Sequence, residues 1–216
     1  MHTPRSHVAR SGSLNFLVIG LNKIPEGKKT IILNGVPVGE YEATGDTETD
    51  IEVVRQFLKD NGYHQEISPF MAAFNQAISF ATASNYLYDR DLRQSPRNGA
   101  STAPFVVNAA FSIELYLKAL SLKHGVALHG HVLSKLYEKL PIEAKAEIQE
   151  MTQHCAVDSE LGLGENPDFL AYLSELDHTF MEWRYSYEKE RTGVVQIQPT
   201  IFVMGVLHEA CRFQRQ

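Results

Sequence analysis

The sequence predicts a mainly α-helical protein, in which a bundle of five to six helices follows a small β-hairpin plus helix module. Three observations support this fold class. Apolar residues recur at helical spacing through most of the chain after Ser68. Prolines and glycines separate these helical segments from one another. Nearer the N-terminus, two short apolar runs flank the dipeptide Asn34-Gly35, which is typical of the turn in a β-hairpin.

The composition indicates a globular protein with one sizeable core. The chain has 216 residues, of which 44% are hydrophobic, and a formal net charge of −6. This acidic balance argues against unspecific coating of nucleic acid, although a local basic site is compatible with it. The two cysteines, Cys155 and Cys211, are far apart and lack metal-ligand spacing. We therefore expect reduced thiols, no metal, no cofactor and a cytoplasmic location, with no signal peptide and no membrane span.

The N-terminal part predicts a small ββα module over residues 13–64. It follows a polar stretch, residues 1–12, that we expect to be disordered because unanchored termini usually are. Strands are predicted at Leu14–Leu21 and at Lys29–Leu33. The segment after the turn contains Pro37, which cannot donate a ladder hydrogen bond and therefore predicts an edge strand.

A helix is predicted to complete this module. Asp50 is expected to cap it, and Asn61-Gly62 is expected to end it. The apolar stripe that would face the hairpin consists of Ile51, Val54, Phe57 and Leu58.

The second part, residues 68–216, predicts the helical bundle. Four prolines mark predicted helix starts, and a fifth proline ends a short helix after a connection bracketed by two glycines. The segment from Asn166 is predicted to form one long helix, because apolar and aromatic residues follow it at near-heptad spacing. The residues behind these predictions are Pro69, Pro104, Pro167 and Pro199 for the starts, Gly125, Gly130 and Pro141 for the short helix, and Leu173, Leu176, Phe180, Trp183 and Tyr187 for the long one.

The run Phe105–Leu122 is apolar almost all round, which predicts the central helix of the bundle. Polar residues interrupt the run, so it is a core segment rather than a membrane span. Glu114, Lys118 and Ser121 fall in one narrow sector of this helix. One interpretation is an intrahelical ion pair in the favourable Glu-before-Lys order, and the other is that the two charges form part of a functional site.

Two further segments contain side chains that are candidates for chemistry. His131 lies at a predicted helix start, where it could be a neutral proton acceptor or a turn residue bonded to a nearby acid. Arg184 and Glu188 are one helical turn apart, beside the aromatic residue Tyr187. The Arg184 guanidinium could bind a phosphate or stack on a base, or it could pair with Glu114 inside the bundle.

The order of three segments resembles the HEPN-domain family (higher eukaryotes and prokaryotes nucleotide-binding). These segments are NAAFSIELYLKAL, then GHVLSKLYEKLP, then FMEWRYSYE, within residues 68–216. In that family an apolar helix with an E-x-x-x-K pattern precedes a Gly-His helix start and a late helix with Arg-Tyr. The resemblance implies a helical bundle that dimerises, and it leaves the N-terminal module unexplained.

The resemblance also identifies candidate pocket residues, while one family signature is absent. Many HEPN proteins are metal-independent ribonucleases with an arginine followed a few residues later by a histidine. The window after Arg184 instead contains Lys189, Glu190 and Arg191, which argues against RNA cleavage by the usual mechanism. No residue is therefore predicted to be catalytic. By resemblance, a nucleotide- or RNA-binding pocket would contain Glu114, Lys118, His131, Arg184, Tyr187 and Glu188.

Three functions follow as hypotheses. The first is a HEPN-like nucleotide- or RNA-binding or regulatory module in bacterial stress or phage defence. The second is a ribonuclease toxin, an endoribonuclease that uses Arg184 with a nonstandard partner such as His131 or Tyr187. The third is a dimerising interaction protein whose β-hairpin recruits a partner by strand addition. Motifs of phosphate-cradling folds and of the common hydrolases are absent from the sequence.

Overall fold

The structure is a computed structural model that describes residues 26–33, 35–63, 67–158, 161–164, 166–177, 179–184 and 194–213. The side chains of residues 157, 158, 180, 181 and 184 lie outside this description. The protein is mainly helical with a small two-stranded antiparallel hairpin, so the predicted fold class is confirmed at that level. The chain divides into two compact units, Met1–Glu66 and Ile67–Gln216.

The first unit contains the predicted hairpin and helix. Strand β1, Gly27–Leu33, pairs antiparallel with strand β2, Val36–Ala43. The register shifts between Ile31 and Ile32, where Ile32 pairs with Pro37. The predicted strand Leu14–Leu21 lies outside the described residues.

Helix α1, Thr47–Asp60, packs against β2. Gly39 makes this packing possible, because a Cβ at that position would overlap the ring of Phe57. The predicted cap was wrong: Asp46 caps α1 by accepting a hydrogen bond of 2.8 Å from the Thr49 amide. Asp50 lies one turn inside the helix instead, where it is buried and accepts hydrogen bonds from the Thr44 amide and hydroxyl.

The second unit is the helical bundle. A π-helical turn, Tyr88–Leu92, follows its first helix, and a 3-10 turn, Gly99–Ser101, precedes its second. Within the described residues its α-helices are α2, Pro69–Leu87; α3, Thr102–Lys123; α4, Leu133–Glu138; α5, Ile142–Asp158; α6, Phe169–Glu175; α7, Thr179–Arg184; and α8, Ile197–Arg212.

Helix α3 is the central helix of the bundle, as its apolar sequence predicted. Thirteen of its 22 residues are buried, and it packs against α2, α4, α7 and α8. The segment Gly99–Lys123 is long and apolar enough to cross a membrane, but 67% of its apolar 18-residue window is buried inside the protein. Two buried hydroxyls join α2 to α3: Ser84 donates to the Phe105 carbonyl at 2.7 Å, and Ser112 donates to the Ala77 carbonyl at 3.0 Å.

The predicted long helix after Asn166 is wrong, because the chain turns between α6 and α7. The described part of this unit therefore contains seven α-helices rather than five or six. Leu176 ends α6 as a buried residue, and the carboxylate of Asp177 turns towards α4. A continuous helix would carry Asp177 away from that contact. The predicted stripe position Tyr187 lies outside the described residues.

Candidate functional site

The candidate site is built around the carboxylate of Glu114, which α3 places in the bundle at only 4% exposure. A buried carboxylate needs partners, because removing its charge from water is costly. Lys118, one turn later on α3, donates from Nζ to Glu114 Oε1 at 2.7 Å. The predicted intrahelical ion pair is therefore present in the structure. The Lys118 side chain is 23% exposed, so its ammonium lies where the helix meets solvent.

His131 is the second partner of Glu114. Its Nδ1 lies 3.1 Å from Oε1 and 3.2 Å from Oε2 of that carboxylate. Gly130, with φ of +119°, provides the left-handed backbone conformation just before it. The His131 side chain is 82% exposed, so the Nε2 edge of the ring faces solvent. A carboxylate that accepts the Nδ1 proton favours the tautomer with its free electron pair on Nε2.

A side chain from the turn after α6 caps the helix that begins beside His131. Helix α4 begins after Val132, whose side chain has no capping oxygen. Asp177 supplies the cap from outside: its carboxylate accepts from the Ser134 amide at 2.7 Å and from the Ser134 hydroxyl. The start of α4, two residues after His131, is thus capped by a residue 43 positions after Ser134.

The cluster of Glu114, Lys118 and His131 can bind an anion at the surface. The negative charge of Glu114 and the positive charge of Lys118 cancel. The formal charge of the cluster is therefore zero when the His131 imidazole is neutral and +1 when it is protonated. Lys118 carries three donor hydrogens, and Glu114 uses one of them. A phosphate oxygen at this surface would therefore meet ammonium hydrogens of Lys118 and, once protonated, Nε2–H of His131.

The structure brings together three of the six predicted pocket residues. Arg184 is the last residue of α7, a helix that packs against α3, but its side chain lies outside the description. Tyr187 and Glu188 also lie outside the described residues. Pairing between Arg184 and Glu114 therefore stays a prediction, whereas His131 is a partner of Glu114 that comes from elsewhere in the chain.

A second charged cluster was not predicted. Lys123, the last residue of α3, donates from Nζ to Glu147 Oε2 at 3.0 Å, to the Ala210 carbonyl at 3.1 Å and to the Phe213 carbonyl. His124 Nε2 lies 3.3 Å from the same Glu147 oxygen. Because Glu147 is buried and two acceptors are helix-terminal carbonyls, this cluster fastens α3, α5 and α8 together. Nothing in the sequence pairs residues this far apart.

A third polar pair, Tyr116 and His208, lies on another side of α3. The Tyr116 hydroxyl and His208 Nδ1 are 3.0 Å apart, and the two rings meet edge to face. Burial raises the pKa of Tyr116 and lowers the pKa of His208, so both groups are uncharged near neutral pH. The sequence alone does not distinguish Tyr116 and His208 from ordinary core residues of their helices.

Among the described residues, no group of three or more histidine, cysteine, aspartate or glutamate side chains could hold a metal ion.

Comparison with known proteins identifies no relative of this chain. No protein-family model matches the sequence, and no curated protein and no solved structure is significantly similar to the chain.

Proposed function

We propose that this protein is a HEPN-like module that binds a nucleotide or RNA at the cluster of Glu114, Lys118 and His131. The observation that supports the proposal most directly is the shared buried carboxylate. Glu114 orients one ammonium and one imidazole at the surface, and both are phosphate-binding groups. The order of motifs that resembles the HEPN family supports the same ligand class.

The electrostatics favour a small number of phosphate contacts. With a net charge of −6 the protein repels polyanions overall, so binding depends on the local cluster. Each phosphate contact releases counterions, and affinity therefore falls as salt rises. The cluster offers one or two such contacts, and we expect a shallow salt dependence.

The test is fluorescence anisotropy of a labelled single-stranded RNA at several salt concentrations, with ATP as competitor. Lys118→Met is expected to weaken binding roughly threefold to tenfold at low salt and to reduce the salt slope by about one. Lys59→Met is the matched control, because it removes the same charge from an exposed position on α1. Equal weakening by both variants, or RNA binding that Lys118→Met leaves unchanged, would contradict the proposal.

A metal-independent ribonuclease is the second candidate, favoured by the hydrogen bond between Glu114 and His131 Nδ1. A carboxylate that holds Nδ1–H while Nε2 faces solvent is the arrangement of a histidine general base. In this reading Nε2 takes the proton of an RNA 2′-hydroxyl. The oxygen then attacks the adjacent phosphorus, the bond from phosphorus to the 5′-oxygen breaks, and that oxygen takes a proton from solvent water, producing a 2′,3′-cyclic phosphate and a 5′-hydroxyl end.

This candidate predicts cleavage of single-stranded RNA in the presence of EDTA. His131→Gln is expected to lower the rate by about 10²-fold or more, and Arg184→Ala to lower it as well if the guanidinium is the partner. His129→Gln is the matched control, since it changes an exposed histidine two residues away. A wild-type protein that binds RNA but leaves it intact favours the binding module alone.

The biological setting rests on the resemblance. It supports a role in bacterial stress or phage defence, including that of a toxin in the ribonuclease case. It also supports a homodimer formed through the helical bundle.

A further inference from the structure

A cavity of about 410 Å³ lies where helices α4 and α5 meet the segment that leads into α6. Helix α4 contributes Tyr137, α5 contributes one face between Ile148 and Ala156, and the start of α6 contributes residues 166–170. The volume falls within the roughly 300–1,000 Å³ of typical ligand pockets. None of these lining residues belongs to the Glu114 cluster, so the cavity is a separate candidate site.

The inner surface of the cavity is apolar and contains two aromatic rings. Ile148 and Phe169 are both buried. The rings of Tyr137 and Phe169 have their centroids 6.0 Å apart and are inclined to each other by 48°. Water gains little from contact with such a surface, and a flat aromatic ligand would remove it from water.

Three primary carboxamides, those of Gln149, Gln153 and Asn166, line the same cavity. Gln149 and Gln153 are one turn apart on α5, so their side chains are neighbours on one helix face. Within the described part of the chain, no group hydrogen-bonds to any of the three carboxamides. All three residues are exposed, and each side chain therefore has a carbonyl acceptor and two N–H donors free for a ligand.

The charges around the cavity disfavour an anionic ligand. Among the described residues that line it, none is a lysine or an arginine, and Asp168 is the one charged side chain. Asp168 Oδ1 already accepts a hydrogen bond of 2.9 Å from the Ala171 amide, as the cap of α6. Lys145 lies 5.7 Å from the centre of the Tyr137 ring, but its Nζ donates to the Glu138 carbonyl at 2.7 Å. A phosphate or carboxylate would thus meet a carboxylate and no uncommitted cation here.

Among neutral aromatic ligands, adenine matches the carboxamides. Its N6 amine donates and its neighbouring N7 accepts, and a glutamine or asparagine side chain pairs with this edge through two hydrogen bonds. Guanine presents two acceptors, O6 and N7, at the same edge, and arginine or lysine is the usual partner of that pair. Neither residue type lines the described part of the cavity.

We propose that this cavity binds an adenine nucleoside that carries no phosphate. The base lies against the apolar surface of Ile148, Tyr137 and Phe169, and its amino edge pairs with the carboxamides of Gln149 and Gln153. The Asp168 carboxylate disfavours a phosphate at the same place. Because the ligand makes no phosphate contact, this inference does not depend on the function proposed for the Glu114 cluster.

The experiment is isothermal titration calorimetry of the full chain with two probes of equal size, adenosine and inosine. Inosine has a keto oxygen in place of the N6 amine, so it lacks the donor that the carboxamides accept. Adenosine is expected to bind, and inosine is expected to bind at least about fivefold more weakly. Equal affinity for the two nucleosides, or no binding of adenosine up to its solubility limit, would overturn the proposal.

Three variants locate the site. The double variant Gln149→Leu with Gln153→Leu changes two exposed side chains, so the fold should persist, and it is expected to remove the preference for adenosine over inosine. Ala156→Leu fills the cavity from its α5 side and is expected to weaken adenosine about tenfold or more. Gln76→Leu is the matched control, because it removes an exposed carboxamide from α2, and should leave adenosine affinity unchanged. A preference for adenosine that survives in the double variant, or unchanged affinity in Ala156→Leu, would overturn the proposal by placing the nucleoside elsewhere.

Discussion

Replacing Lys123 with methionine is expected to lower the free energy of unfolding by about 3 kcal/mol, the largest effect of any single change of charge considered for this protein. The buried Glu147 carboxylate would lose its ammonium partner, and the Ala210 and Phe213 carbonyls would lose their donor. Methionine keeps most of the aliphatic volume, so the loss reports on polar contacts rather than on a cavity.

Urea unfolding measured by circular dichroism tests this result. Lys139→Met is the matched control, because Lys139 is exposed, and a change below about 0.5 kcal/mol is expected there. The double variant Lys123→Met with Glu147→Leu should recover much of the loss, since it removes the stranded charge as well. A Lys123→Met protein as stable as wild type would mean that the cluster does not hold the three helices together.

Asp177→Ala is expected to cost about 2 kcal/mol and to disturb the candidate site at the same time. The variant removes both hydrogen bonds that cap α4 at Ser134, and one carboxylate cap of this kind is worth roughly that amount. Because α4 starts beside His131, we expect the imidazole to lose its fixed position against Glu114.

Two measurements distinguish these effects. Urea unfolding gives the stability, and the NMR chemical shifts of the His131 ring report its contact with Glu114. Asp168→Ala is the control, since it removes a local cap of α6, a 2.9 Å bond to the Ala171 amide, that is unrelated to His131. If both variants leave the chemical shifts of the His131 ring unchanged, Asp177 is a helix cap without influence on the site.

Much of the fold followed from local patterns in the sequence. Helix α3 was recognisable because it is apolar on nearly every side, and the hairpin because Asn34-Gly35 fits only a few turn types. The pair of Glu114 and Lys118 was predictable because residues one turn apart on a helix are neighbours whatever the rest of the fold does.

The predictions that failed depend on contacts between distant residues. The helical spacing of apolar residues continues from Leu173 to Trp183, so the sequence predicts no break between α6 and α7. The break is accompanied by a hydrogen bond from Ser134 to Asp177, which the sequence does not show. Asp46 and Asp50 are equally good caps by residue type, and the buried bonds from Thr44 decide between them.

The same limitation applies to the sites. His131 and Glu114 are 17 residues apart, and Tyr116 and His208 are 92 apart. Such pairs form only once the helices have packed, and a single sequence contains no periodicity that records them.

The position of the Lys123 contacts along the chain has a consequence for synthesis on the ribosome. Lys123 and Glu147 emerge well before Ala210 and Phe213, whose carbonyls complete the contacts of the ammonium. Until residue 213 has left the exit tunnel, the growing chain holds a partly formed bundle whose apolar helix α3 lacks its cover from α8. Closure of the bundle over α3 therefore follows the emergence of α8 from the tunnel.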